Sequence, residues 1–466
     1  MVLTFPQTLD IKIFEYNNKK YVLDIYTSTF LEPDDITIDI IEHAGSMDMN
    51  SLLSLLYHKY GSVKPLEALQ KFCKLKGRGI LSSIEESPRK KFIPHDMPVN
   101  SFSINLTYDC NLRCKYCYAG EGNYGMHRDY MDICTAEKVA DFLIKTSGEA
   151  NNISILFFGG EPLMNFNILK YFVLYCNSKA DKKTDYTVVT NGTLLTDKIM
   201  EFFNEYNIKI QVSIDGNKKI QDFLRPFPGN IGSYDIIERK IKKITSDHNE
   251  RCSARATVNH NNLELTGITK ELLNMGFKYM SLEMITSPES NELHLTETDA
   301  GQLLVEYKKL ADYYLNQIKE GNRFIIEGFS KTFNSTCNNM RKFYGCGVGR
   351  TFIAISPGGD IYPCHRFQGM KEWKIGDIYN GIDRHFRNMF LNIFVENIED
   401  CAGCWARYYC GGGCIMESMV YNNSIYKPPE RLCNIRKYEI ELALSIYADL
   451  VKDNKDFLDS LYSNKI

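Results

Sequence analysis

Three cysteines crowded into one short stretch have a spacing that suits metal binding. The segment CNLRCKYC places Cys110, Cys114 and Cys117 within eight positions. Thiolates hold iron–sulfur clusters, and a cluster of four irons offers four ligand sites. Three cysteines therefore leave one iron open to another molecule. A zinc knuckle is the alternative, but a structural zinc site usually takes four protein ligands.

More cysteines gather near the end of the chain. Of 15 cysteines, eight lie between residues 337 and 433. Clustered cysteines in a protein without secretory features usually bind metal rather than form disulfides. Three others stand alone and are predicted to pack in the interior: Cys134, Cys176 and Cys252.

The overall composition is ordinary for a globular protein and excludes several functions. The chain has 466 residues, 44% of them hydrophobic, with 55 basic and 58 acidic side chains. Such balanced charge argues against binding to nucleic acid or to an anionic membrane. The start MVLTFPQTLD lacks the features of a signal peptide, and no apolar run approaches the roughly 18 residues of a membrane span. We therefore expect a cytoplasmic protein.

The middle of the chain, from residue 100 to about 325, alternates strand-like and helix-like segments. Six such repeats predict a parallel sheet, either a partial barrel or a doubly wound sheet. Unusual residues follow the first four strands: CNLRCKYC, GGEP, TNG and SIDG. In both folds the chemistry sits at the carboxyl ends of the strands, so these segments are predicted to meet at one edge.

The two ends of the chain predict smaller units. The first hundred residues contain strand-like runs followed by short helices, an α+β pattern like that of a winged helix. Residues 1–50 carry nine acidic and three basic side chains, which weakens a DNA-binding interpretation. Beyond residue 326, turns rich in glycine and cysteine predict a domain organised around metal. The predicted domains are residues 1–92, 93–325 and 326–466.

The C-x3-C-x2-C spacing on a loop after the first strand resembles that of the radical S-adenosylmethionine (SAM) enzymes. The resemblance implies that the open iron of a [4Fe-4S] cluster binds the amino and carboxylate groups of SAM. Reduction then yields a 5′-deoxyadenosyl radical that abstracts hydrogen from the substrate. Cys110, Cys114 and Cys117 would be both metal ligands and catalytic residues.

The other motifs at the strand ends are predicted to bind SAM. Gly159 and Gly160 would let the backbone approach the methionyl amine. Glu161 would accept a hydrogen bond from that amine, and Tyr116 would lie along the adenine. Four further residues could hydrogen-bond the ribose or the carboxylate of SAM: Thr190, Asn191, Ser213 and Asp215. For Thr190, Ser213 and Asp215, capping of the strand ends is the alternative. Arg225 and Arg255 could pair the SAM carboxylate, but salt bridges at the surface or within the fold are the preferred interpretation of each.

The segment CAGCWARYYCGGGC is similar to the seven-cysteine SPASM pattern of peptide-modifying radical SAM enzymes. The resemblance implies two auxiliary clusters, and thus three [4Fe-4S] clusters in all. Cluster one would take Cys346, Cys364 and Cys414. Cluster two would take four cysteines: Cys401, Cys404, Cys410 and Cys433. Cys337 is a candidate fourth ligand of cluster one; without it, one iron of that cluster is open. A zinc ribbon is the alternative for residues 401–414.

The order of these segments resembles that of SCIFF-type thioether maturases. The implied fold is α/β: a partial (β/α)6 radical SAM barrel with an N-terminal winged-helix-like domain and a C-terminal SPASM domain. The N-terminal domain would bind the leader of a cysteine-containing precursor peptide along a strand edge. The enzyme would form thioether crosslinks from Cys sulfur to carbon, with an electron donor such as flavodoxin or ferredoxin.

Other functions use the same residues. Formylglycine formation, carbon–carbon crosslinking and epimerisation need the same radical chemistry, and the sequence offers no acid or base that separates them. An iron–sulfur electron carrier or regulator is the non-enzymatic alternative. SAM cleavage after reduction would separate that alternative from the maturases.

Overall fold

The computed structural model describes residues 10–463 except 44–45, 62–63, 82–96 and 249–250. A three-stranded antiparallel sheet comes first, in the order β1-β2-β3. Its strands are β1 (Ile11–Tyr16), β2 (Lys19–Asp24) and β3 (Thr29–Leu31), followed by helices α1 (Asp35–His43), α2 (Met49–Tyr60) and α3 (Lys64–Gly77). The predicted boundary at residues 92–93 lies outside the described residues.

Six parallel strands form the centre of the molecule and lie side by side in chain order. They are β4 (Ser101–Asn105), β5 (Asn152–Phe158), β6 (Lys183–Thr190), β7 (Lys209–Ser213), β8 (Cys252–Val258) and β9 (Tyr279–Met284). A doubly wound sheet reverses its strand order at a switch point, whereas these strands follow one another without reversal. The prediction of an α/β fold with a parallel sheet is confirmed, and the strand order is that of a partial barrel.

Helices connect these strands and cover the sheet. They are α4 (Ile133–Thr146), α5 (Phe166–Lys179), α6 (Asp197–Glu205), α7 (Lys218–Leu224), α8 (Tyr234–His248), α9 (Leu265–Asn274) and α10 (Glu297–Lys319). Side chains fix where they begin. Asp132 accepts a hydrogen bond from Thr135 N at 2.7 Å and caps α4. At α10, the side chains of Thr296 and Asp299 each bond the other's backbone N–H, a capping box.

Both edges of the barrel sheet carry further strands that the sequence did not predict. The short β10 (Ile325–Ile326) adds a parallel strand beside β9. On the other edge β11 (Phe352–Ile355) pairs in parallel with β4. Three antiparallel strands continue from it: β12 (Asp360–Tyr362), β13 (Gly376–Asp377) and β14 (Gly381–Ile382). The cysteine-rich segment is therefore part of the barrel sheet.

The remaining C-terminal helices are mostly short, apart from one long helix. They are α11 (Glu327–Cys337), α12 (Arg384–Leu391), α13 (Glu399–Ala402), α14 (Arg407–Cys410), α15 (Ile415–Asn422), α16 (Glu430–Asp453) and α17 (Lys455–Ser463). The long helix α16 packs against α10, α11 and β1. Ion pairs Lys12–Glu441 (3.2 Å) and Lys19–Asp449 (2.7 Å) tie the N-terminal sheet to it. Among the described residues no helix combines the length and the hydropathy of a membrane span.

Candidate active site

The cysteine loop that follows β4 lies at the carboxyl edge of the sheet, beside the ends of its neighbours. Cys110, Cys114 and Cys117 line one open cavity. Seven of the eight predicted SAM-binding residues line the same cavity: Tyr116, Gly159, Gly160, Glu161, Thr190, Asn191 and Ser213. The structure therefore brings together residues that are up to 103 positions apart in sequence.

The cysteine loop is anchored by its backbone to the segment after α7. Arg113 N donates to Pro226 O at 2.7 Å, and Lys115 N donates to Leu224 O at 2.9 Å. The Arg113 side chain also donates to Cys110 O at 2.7 Å. These bonds fix the path of the chain between the first and third cysteines.

Glycines at the end of β5 allow a close approach of two backbones. A Cβ atom on Gly160 would lie 1.9 Å from Asp109 O, and one on Gly159 would lie 2.5 Å from Thr107 O. The next residue, Glu161, donates its N–H to Asp109 O at 2.8 Å. The glycines were predicted to make room for SAM; in the structure they also make room for the cysteine loop itself.

Glu161 joins β5 to the end of β6. Its carboxylate is almost fully buried and accepts hydrogen bonds from Thr190 Oγ1 at 2.7 Å and Asn191 N at 2.8 Å. Burial raises the pKa of Glu161, while these hydrogen bonds act in the opposite direction. The Asn191 amide in turn donates to Asn111 Oδ1 at 2.8 Å, next to Cys110. One network thus connects the second and third strand ends to the cysteine loop.

Tyr116 is held by a second buried network. Its hydroxyl donates to Asp215 Oδ2 at 2.6 Å and accepts from Arg225 Nη1 at 2.6 Å. Asp215 is fully buried and also accepts from Thr257 N at 2.9 Å. Asp215 therefore lies behind Tyr116 and supports it, and its predicted contact with SAM stays a prediction.

Several charged residues line the cavity, and two of them, Glu283 and Arg366, were missed from the sequence. Arg225 and Arg255, interpreted as salt-bridge residues, both line the cavity, as do Glu283 and Arg366. Burial acts to raise the pKa of Glu283. The net effect is nevertheless a pKa below the ordinary value, because three positive charges and one hydrogen bond stabilise the carboxylate: Arg255, Lys331 and Arg366, and the hydroxyl of Ser281. The sequence does contain a signal for two of these residues, because Arg255 and Glu283 are charged side chains inside the strands CSARATV and YMSLEM.

The cysteines predicted for auxiliary cluster one also lie near one another. Cys346 and Cys364 each interact electrostatically with Cys414, and burial raises their pKa values to about 11 and about 12. Gly411, Gly412 and Gly413 all have positive φ, between 75° and 95°. A Cβ on Gly411 would lie 2.3 Å from Tyr344 O, so only glycine fits at position 411. The glycine turn thereby brings the segment of Cys414 close to the loop that contains Cys346.

The cysteines predicted for auxiliary cluster two form another set. Burial raises the pKa of Cys401 to about 12, and the nearby thiols of Cys410, Cys433 and Cys404 act in the same direction. The same set surrounds Cys433, whose pKa is raised to about 11. Burial thus raises the pKa of two thiols in each predicted set, and these four thiols resist ionisation until a cation balances their charge.

The other cysteines have mixed environments. Cys337 is exposed at the end of α11, and its sulfur interacts with the Tyr447 hydroxyl on α16. Its assignment to cluster one stays a prediction. Cys176 and Cys252 are buried as expected, but Cys134 is exposed on α4, contrary to expectation. Within the described ranges, no three Cys, His, Asp or Glu side chains converge on a single metal-ion position.

An aromatic wall, made of Tyr118, Phe158 and His365, joins residues next to the cavity cysteines to a residue next to auxiliary set one (Cys346, Cys364 and Cys414). His365, the residue after Cys364, packs on Phe158 with ring centroids 4.5 Å apart. Tyr118, the residue after Cys117, lies 6.4 Å from the same imidazole. Residues adjacent to the two thiol sets thus touch across this wall. Soft thiolates in such sets have the donor chemistry that iron–sulfur clusters require.

Comparison with known proteins decides the family. The model of the radical SAM superfamily matches residues 104–264. Uncharacterized protein MJ0907 of Methanocaldococcus jannaschii is 31% identical over 270 residues, which are 57% of this chain and 85% of that protein. The chain belongs to the radical SAM superfamily. The superfamily match over residues 104–264 includes the cysteine loop and the ends of strands β5 to β8.

Further relatives of this radical SAM protein have described activities. The cysteine-type anaerobic sulfatase-maturating enzyme of Clostridium novyi is 26% identical over 336 residues, covering 66% of this chain and 85% of that enzyme. The structure of anSMEcpe with bound AdoMet and the Cp18Cys peptide is 20% identical, with a TM-score of 0.63 over 76% of this chain and 99% of that one.

A second solved structure matches more of the chain. Streptococcus suis SuiB bound to the precursor peptide SuiA is 18% identical, has a TM-score of 0.50, and covers 91% of this chain and 98% of SuiB. At these identities the two structural matches establish the fold alone.

Proposed function

We propose that this radical SAM enzyme forms thioether crosslinks from Cys sulfur to carbon in a ribosomally made precursor peptide. The observation that carries the proposal is the wall shared by two thiol sets, in which Tyr118 follows Cys117 and His365 follows Cys364. A peptide in this cavity would have one thiol set on each side. The relatives that act on proteins or bind peptides support a peptide as the substrate.

The residues of the cavity suit SAM and a four-iron cluster on Cys110, Cys114 and Cys117. When bound, SAM and the cluster supply a carbon-centred radical that takes a hydrogen atom from the substrate. The Glu161 network would orient the amino end of SAM, and the Tyr116 ring would lie along its adenine. Because Tyr116 is held through its hydroxyl on both sides, its ring is pre-oriented before SAM binds.

The C-terminal thiol sets are proposed to hold two more [4Fe-4S] clusters in a SPASM domain. Set one would supply three cysteines, and set two would supply four. Because the Cys337 sulfur interacts with Tyr447, we propose that Cys337 does not complete set one and that one iron there is left for an exogenous ligand. The substrate thiol is the ligand that thioether formation would place there. Ten cysteines in three sets predict about twelve irons, at four irons for each site.

The N-terminal domain is proposed to bind the leader of the peptide. In the described part of the domain, β3 pairs with β2 alone, so its outer edge is open to strand addition. Acidic residues of this domain could also attract a basic leader, but two of them are already engaged: Asp39 accepts from Lys59 and Tyr60 at 2.7 Å, and Asp34 caps α1 through Thr37 N. Leader recognition is therefore assigned to the strand edge rather than to these carboxylates.

One experiment tests the enzyme class. The full chain is reconstituted anaerobically with iron and sulfide, reduced, and incubated with SAM, with flavodoxin or ferredoxin as the physiological type of donor. The triple replacement of Cys110, Cys114 and Cys117 by Ala should abolish 5′-deoxyadenosine while leaving about eight irons bound, by the same count of four for each site. A triple variant that still cleaved SAM would contradict the assignment.

A second experiment tests the thioether itself. A cysteine-containing peptide encoded beside this gene is treated with the enzyme and analysed by mass spectrometry. Each crosslink should remove two hydrogens and block one Cys from alkylation. Free thiols in a product that has lost hydrogens would favour carbon–carbon crosslinking. An unshifted mass with an inverted residue would indicate epimerisation, and a cysteine converted to formylglycine would favour sulfatase-type chemistry.

Removing residues 1–92 tests the role of the N-terminal domain. The truncated chain should lose peptide modification but keep peptide-independent SAM cleavage. The truncation also removes the ion pairs that β1 and β2 make with α16, which could disturb the rest of the fold. The iron content of the truncated chain is therefore the control for folding. Equal modification by the full and truncated chains would remove the leader-binding role.

A further inference from the structure

Arg366 connects the cavity of the first cluster to auxiliary set one. It lies in the 3-10 helix His365–Phe367, two residues after Cys364, yet its side chain lines the cavity that contains Cys110, Cys114 and Cys117. Its guanidinium carbon lies 5.8 Å from the Tyr118 ring. One cationic side chain thus reaches from the segment that follows Cys364 to the cavity of the first thiol set.

The guanidinium of Arg366 has capacity for another partner. Its Nη1 donates to Thr286 Oγ1 at 2.6 Å, a neutral acceptor. Among the described residues no carboxylate oxygen lies within ion-pair distance of it, although Glu283 and Glu417 interact with it from further away. Glu417 is itself paired with Arg436. A guanidinium always carries its charge and has five N–H donors, so this one can bind an anion from the cavity.

Two anions could occupy this position: the carboxylate of SAM and the sulfur of a substrate cysteine. The residues suited to the amino-acid part of SAM, Glu161 and Asn191, are networked to the Cys110 side of the cavity. Arg366 instead lies two residues after Cys364, and its guanidinium lies near Tyr118, the residue after Cys117. Its position therefore favours the substrate sulfur.

We propose that Arg366 is a substrate-positioning residue that holds the cysteine of the peptide as a thiolate at the wall between the two thiol sets. The inference rests on the proposed function and names the group of the substrate that this site recognises. Binding in this form releases one proton from the thiol to solvent. Hydrogen bonds from a charged donor to an anion are among the stronger ones in proteins, and they also fix direction.

The test uses the reconstituted full chain and a small probe, N-acetyl-L-cysteine amide, whose binding is measured by calorimetry. Arg366→Met should weaken this binding about tenfold to a hundredfold, the range for a lost hydrogen bond to a charged group. Arg366→Lys, which keeps the charge, should bind with intermediate affinity. N-acetyl-L-serine amide, which stays neutral, should bind poorly to all variants.

A matched control keeps the result interpretable. Arg431 is another partly buried arginine; it lies at the start of α16 and pairs with Glu297 at 2.6 Å. The Arg431→Met variant should bind the probe as the wild type does. Iron content and the denaturation midpoint check that Arg366→Met is folded. SAM affinity should be unchanged in Arg366→Met.

Three results would overturn the inference: no binding of the cysteine probe by the wild type, equal binding by wild type and Arg366→Met, or a loss of SAM affinity in Arg366→Met. These differ from failure of the proposed function, which would appear as a wild type that cleaves SAM but leaves the peptide cysteines open to alkylation.

Discussion

Replacing Gly160 with alanine should displace the cysteine loop. No unusual φ is involved at this position, so the effect is a steric one. The added Cβ would lie 1.9 Å from Asp109 O, whereas ordinary contacts begin near 3.4 Å. The end of β5 and the loop must therefore separate by about 1.5 Å. That movement breaks the bond from Glu161 N to Asp109 O, and with the strain of overpacking the cost should be about 2–4 kcal/mol.

The assay compares Gly160→Ala with Gly301→Ala in the reconstituted full chain. Gly301 lies in α10 with no atom within 4 Å of an added Cβ, and alanine there should stabilise the helix by up to about 1 kcal/mol. Gly160→Ala should lower the free energy of unfolding in denaturant and cut SAM cleavage about a hundredfold, as a displacement of this size does in enzymes. Equal iron content, stability and SAM cleavage in the two variants would refute the reasoning.

Three further predictions concern other parts of the molecule. Tyr116→Phe removes the hydroxyl shared by a buried carboxylate and a buried guanidinium, and should lower the free energy of unfolding by about 1–3 kcal/mol in denaturant titrations. Asp10→Ala strips the buried Arg407 of its ion pair and should cost about 3 kcal/mol, which calorimetry would detect. Hydrogen bonds from Thr135 lower the pKa of Asp132, so its contribution to stability is present above about pH 4 and is lost as the pH falls through the folded value. In Asp132→Ala, acid unfolding curves should lose that component; identical curves would exclude it.

The barrel was predictable because its signals are local. The six strands are short segments in which apolar residues mostly alternate with polar ones, and each is followed by a segment that reads as helix. The chemistry follows from that regularity: once strands are parallel and in order, the motifs GGEP and TNG must meet the cysteine loop. The network of Glu161 with the end of β6 is the physical result.

The contacts beyond the barrel were not predictable, since they depend on long-range packing. β11 is four residues long, and its pairing with β4 joins positions about 250 residues apart. Arg255 and Glu283 looked like ordinary charges because sequence spacing does not say which face of a strand is open. Cys337 is a candidate ligand from its spacing to Cys346, and that spacing could not show that α11 packs on α16 and that the Cys337 sulfur interacts with Tyr447.

The pairing of β11 with β4 has a mechanical consequence. Four consecutive residues of β11, Phe352 to Ile355, are aligned with Ser101 to Ile104 of β4. Strand β4 leads into the cysteine loop, and β11 leads through β12 toward Cys364, so one hydrogen-bonded ladder joins both cysteine segments. No hinge can operate between them without breaking that ladder. Relative movement of these two strands therefore costs backbone hydrogen bonds, and the ladder ties the two cysteine segments to one sheet. A chain cut at residue 326 would bare the edge of β4, which favours aggregation over an independently folded barrel.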